Sequence, residues 1–127
     1  GDIGTQAVFD DLQSIAPVEA VCGNTDTLLW CRSLGKTRLV EFGGITFYIV
    51  HDIEDLDLDP AAAGIRVVVF GHSHQPSAKE VSGVLYINPG SAGPARFNYP
   101  ITVVRLKISQ SGEVTHELIY LAKRGKS

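Results

Sequence analysis

Two histidines two residues apart, in Gly71-His72-Ser73-His74, are the residues of this chain best suited to chemistry. Neutral imidazole is the commonest side-chain ligand for divalent metals. Directly before the pair stands the apolar run Ile65-Arg66-Val67-Val68-Val69-Phe70. A run of that length ended by Gly reads as a buried strand. The pair therefore falls on a loop at the carboxyl end of a strand, where open α/β sheets place their ligands. Taken alone the pair is weak evidence, because one imidazole could cap the strand and the other be solvated.

Three more segments carry oxygen or nitrogen donors at matching places. Gly1-Asp2 opens the chain, Gly23-Asn24-Thr25-Asp26 follows the strand-like run Val18 to Cys22, and His51 follows the apolar run Gly44 to Val50. Four loops delivering O and N ligands are much harder to obtain by accident than one. Each has a plain alternative: a solvated terminal Asp2, a turn-forming Asn24, a strand-end His51.

This set resembles the calcineurin-like metallophosphoesterases, and most of all their small single-domain prokaryotic phosphodiesterase branch. The order Gly1-Asp2, Gly23-Asn24, His51, Gly71-His72-Ser73-His74 follows that family's motif blocks. Leu85-Tyr86-Ile87-Asn88-Pro89-Gly90-Ser91 is similar to the branch's late strand and turn. The family's opening Asp-x-His block is absent. The chain is therefore expected to be one metallophosphoesterase domain over residues 1–127, N-terminally incomplete by a βα unit of about 30 residues. The implied fold class is α/β: two packed β-sheets flanked by helices, an αββα sandwich with its first βα unit missing.

The resemblance implies a metal-dependent phosphoesterase acting on phosphodiesters or phosphomonoesters through a metal-bridging hydroxide. Two divalent ions about 3.5–4 Å apart would clamp the phosphate and activate water. Manganese is the first choice, and iron, nickel or zinc also accept a mixed N/O set. Carried over residue by residue, Asp2 bridges the metals, Asn24, His51 and His72 join it around the second, and His74 belongs to the first. That leaves this chain one full ligand set and half of the other, so it is expected to be a partial or impaired enzyme. Asp26 is a candidate for orienting a ligand, with turn capping the alternative. Ser91 is a candidate substrate contact, although Asn-Pro-Gly-Ser is turn chemistry first. No general acid is assigned, because Thr25 stands where many relatives carry a His. The competing reading is a protein-interaction scaffold like the retromer subunit of this fold.

Composition narrows the class. At 127 residues, 44% of them apolar, the chain can bury a real core. A formal charge of −3 argues against a nucleic-acid surface or an anionic-membrane partner. Neither a membrane-length apolar run nor a signal peptide is visible. The expected partner is a phosphate ester, and a sheet lacking a strand is expected to self-associate. Cys22 and Cys31 fit no disulfide framework or zinc motif, which suits free thiols in the cytoplasm, with Cys22 a small core residue on its strand.

Punctuation sets the elements. Apolar residues at Val8, Leu12 and Ile15 predict a helix over Thr5 to Ile15, stopped by Pro17. Hairpins are expected around Gly43-Gly44, around Gly83 and at Gln110-Ser111-Gly112. Asp59 to Gly64 reads as a short helical turn capped by Asp59. The sum is two helical pieces and about seven strands.

Overall fold

In the computed structural model, residues 6–23, 34–92 and 100–122 are described. They hold one α-helix, α1 (Gln6–Ile15), and seven strands. The strands are β1 (Thr37–Phe42), β2 (Ile45–Val50), β3 (Val67–Val69), β4 (Ser77–Val81), β5 (Val84–Asn88), β6 (Ile101–Ile108) and β7 (Val114–Ala122). They form a five-stranded sheet in the order β1-β2-β3-β5-β4 and a β6-β7 hairpin sheet.

The hairpins turn where glycine permits. Gly43 and Gly44 join β1 to β2 with φ of 62° and 81°, the left-handed pair that matches the twist of a two-residue hairpin. Ser82 and Gly83 repeat this between β4 and β5, with φ of 52° and 78°. The centre of the sheet is different: β2 pairs parallel with β3, and β3 parallel with β5. Parallel strands need both faces covered, and the sequence supplies apolar residues at consecutive positions to do it.

Period-two alternation sends those residues to two cores. On one face Val67, Leu85 and Ile87 are buried, with Ile45, Phe47 and Val69 beside them. Val104 and Leu106 of β6 and Val114 of β7 pack on that face, so the hairpin sheet covers it. On the other face Tyr48, Val50, Val68 and Val84 are buried together with Ile65. Its cover is the connection between β2 and β3. That stretch looks acidic, yet it turns Ile53, Leu56 and Leu58 inward and leaves Glu54, Asp55, Asp57 and Asp59 exposed. A single 3-10 turn, Ile53–Asp55, starts it, with Asp52 as its cap. Asp59 caps the turn that follows: Ala62 N donates to Asp59 Oδ1 at 3.4 Å, and Gly64 ends it with a φ of 77°.

Two expectations change. The run Val18 to Cys22 is not a strand. Apolar composition is satisfied by burying Val21 alone, at 1% exposure, and Cys22 N donates to Gly35 O at 2.7 Å. A strand needs a ladder of such bonds. Cys22 is accordingly only half-buried, not a core residue. The helical layer is thin, as expected: α1 forms over Gln6–Ile15, and none of its side chains is buried. Thr5 and Cys31 lie outside the described residues.

Candidate metal centre

His51 and His72 meet because their strands are neighbours. The β2–β3 register pairs Ile49 with Val69. Two residues on, Gly71 N donates to His51 O at 2.9 Å, so the parallel pairing runs into both loops. The two imidazole rings lie 5.3 Å apart between centroids, edge to face at 75°.

The His72 loop is held in a sparsely populated conformation. His72 has φ of 72° and His74 has φ of 62°. Ser73 N donates to Gly71 O at 2.9 Å across His72, the bond of a γ-turn, a strained class when φ is positive. Positive φ costs a non-glycine residue about 1–3 kcal/mol and persists only where the surroundings impose it.

Asn88 imposes it. Its side chain ends β5, is 1% exposed, and uses both ends of its amide. Nδ2 donates to Ser73 Oγ at 3.0 Å and to Gly71 O at 3.4 Å. Oδ1 accepts from Gly90 N at 2.9 Å. Ser73 Oγ also accepts from Gln75 N at 3.3 Å. Thr102, the other buried polar residue among those described, closes the far side of the same turn. Its Oγ1 donates to Pro89 O at 2.7 Å, and its N donates to Ser91 O at 2.9 Å. Gly90, at φ 81°, has no room for a Cβ, which would run into Thr102 Oγ1.

The expected site residues fall as follows. His51 and His72 are brought together. His74 is on the same loop, half-buried. Among the described residues no three His, Cys, Asp or Glu side chains gather into a metal cage, so His74 does not close a triad with the other two imidazoles. Ser91 is half-buried and tied through its backbone to Thr102. Asp2, Asn24 and Asp26 lie outside the described residues, as does Thr25. Two participants were not expected from sequence. Asn88 carries a structural role larger than turn chemistry; its signal is a polar residue where a buried strand ends beside the histidine loop. Asp52 places Oδ2 3.8 Å from His72 Nε2; its signal is only its adjacency to His51. The donor chemistry, two imidazoles just past the carboxyl ends of neighbouring parallel strands, fits a divalent metal.

Two sheets packed face to face, with histidines at the carboxyl ends of parallel strands, define a metallophosphoesterase-type sandwich. The chain belongs to the calcineurin-like phosphoesterase superfamily, whose domain matches residues 1–111. It is 29% identical over 111 residues to a probable metallophosphoesterase of Methanothermobacter thermautotrophicus, covering 82% of this chain and 64% of that protein. It is 30% identical over 99 residues to a probable metallophosphoesterase of Methanocaldococcus jannaschii, covering 72% of this chain and 50% of that one. The chain thus spans between half and two thirds of the length of these relatives. The fold is shared with Vps29 of Entamoeba histolytica complexed with zinc, at a TM-score of 0.72 and 24% identity over 94% of this chain and 78% of that one. It is shared equally with an archaeal phosphodiesterase, at a TM-score of 0.72 and 23% identity over 94% and 79%. The family implies divalent metal ions. Among the described residues no helix is long and apolar enough to cross a membrane.

Proposed function

We propose that this protein is a metal-dependent phosphoesterase that hydrolyses phosphodiesters or phosphomonoesters. The observation that carries the reading is the meeting of His51 and His72, from neighbouring strand ends, on a strained loop that a buried amide locks. Strain held in place in this way is concentrated at functional sites. Divalent cations, when bound, supply charge neutralisation of the phosphate oxygens and an activated water.

The chain's own residues would divide the work. His51 and His72 offer ring nitrogens to one cation, with Asn24 as a neutral oxygen donor and Asp2 as the carboxylate shared between two. His74 serves the other cation. Neutral donors leave the pocket positively charged once loaded, which attracts an anionic ester. Asp26 would orient a ligand, and Ser91 sits beside the Asn88 turn where a substrate oxygen could reach it. Thr25 cannot protonate a leaving group near pH 7, so aryl esters, whose leaving groups need no proton, are the substrates of choice for assay. Manganese is the metal we favour.

The test is manganese-dependent hydrolysis of bis(4-nitrophenyl) phosphate by the purified protein. His72→Ala should lower the rate by at least about 100-fold. A protein that binds manganese but releases no nitrophenol from mono- or diester would refute the reading. A second reading, a protein-interaction scaffold, draws on the likeness to Vps29 and on Leu39, Phe42 and Tyr120, large apolar side chains each more than 60% exposed. It would gain if neither manganese binding nor turnover were found.

A further inference from the structure

Residue 52 follows a metal-site histidine and immediately meets another. The Asp52 carboxylate is not free to wander, because Oδ1 accepts from Glu54 N at 3.1 Å and caps the 3-10 turn Ile53–Asp55. That bond aims Oδ2 at the His72 ring, 3.8 Å from Nε2. A slight rotation of either group, or one bridging water, turns this separation into a hydrogen bond. The His72 ring also meets the edge-to-face imidazole of His51. Two consecutive residues therefore approach one ring, one by shape and one by charge.

We propose that Asp52 is a positioning residue for His72: it accepts the Nε2–H and leaves Nδ1 as the nitrogen turned to a cation. The inference rests on the reading of His72 as a metal ligand. Its physical basis is that a ligating imidazole is fixed in tautomer and orientation by what its other nitrogen donates to, and a carboxylate partner also raises its basicity. A strained loop gives this added importance. The backbone at φ 72° sets where the His72 Cβ points, but nothing in the backbone chooses which ring nitrogen faces outward; Asp52 makes that choice.

The test has two readouts. In the metal-free protein, in mildly alkaline buffer, long-range 1H–15N NMR should report His72 as the Nε2–H tautomer. Asp52→Ala should lower the Nε2–H share to that of a free imidazole, a mixture of both tautomers in which Nε2–H still leads. Asp52→Ser, whose hydroxyl can still cap the turn but is too short for the ring, should do the same while protecting the fold. Manganese titration by calorimetry should show Asp52→Ala and Asp52→Ser binding about 10- to 100-fold more weakly. Asp52→Asn, whose amide oxygen still accepts Nε2–H, should stay within about 3-fold of the parent, since outer partners are worth no more than about 100-fold in all. An Nε2–H share in both shortened variants equal to that of the parent overturns the proposal. So does a loss in Asp52→Asn equal to that in Asp52→Ala, which would make Asp52 a direct ligand. If the parent itself binds no manganese, the phosphoesterase reading fails, yet the metal-free tautomer still decides the role of Asp52.

Discussion

A single buried amide, Asn88, stands between the His72 loop and relaxation. Removing it leaves the half-buried Gly90 N–H without its partner, while Gly71 O keeps its bond from Ser73 N, and a stranded group costs about 1–3 kcal/mol. Asn88→Ala should therefore lower the unfolding free energy by about 1–3 kcal/mol in urea denaturation. Position 72 tests the strain itself. With φ at 72°, His72→Gly should be more stable than His72→Ala by about 1 kcal/mol, because only alanine resists a left-handed backbone; equal midpoints would show a relaxed loop. The histidine pair was legible in the sequence, since imidazoles after an apolar run announce themselves. The ties to Asn88 and Asp52 were not. They cross 15 or more positions and exist only once parallel pairing brings β5 and β2 to either side of β3.

At the scale of elements, the hairpins were readable because glycine pairs and period-two patterns are local signals. The β1–β2 hairpin turns at Gly43-Gly44 as expected, and β6 and β7 flank the turn expected at Gln110-Ser111-Gly112. The parallel core was readable as apolar runs, but its order β2-β3-β5 was not, because nothing within a run names its neighbour. Val18 to Cys22 misled for the same reason: composition offered a strand and no ladder formed. The segment after His51 reads as acidic. Its carboxylates hid three inward apolar residues, Ile53, Leu56 and Leu58. Val68, at 0% exposure in the middle of that packing, is the sharpest probe. Val68→Ala should cost about 2–3 kcal/mol from lost transfer energy and an unfilled cavity, read from the same denaturation curves.

The whole molecule shows an uneven surface. The edge strand β1 exposes Leu39 at 61% and Phe42 at 69%, on a rim with unpaired backbone groups, the arrangement that invites strand-to-strand association. Phe42→Lys should lower the light-scattering mass or the aggregation rate of concentrated protein, and an unchanged mass would place any self-contact elsewhere. Metal should act on the entire fold. Manganese at 100 times its dissociation constant should add about 2.7 kcal/mol to unfolding, and a chelator should remove that gain. A thermal midpoint indifferent to both would show that cation binding is uncoupled from folding.

The adjacency of β2 and β3 has one more consequence. Hydrogen-bonded neighbours lie about 4.8 Å apart whatever their side chains; Gly71 stands opposite His51, and one residue further on the His72 ring sits 5.3 Å from that of His51. The separation of the pair thus starts from peptide geometry. Substitution can exchange one donor atom for another, but the strands that carry them keep a spacing written into every β-sheet.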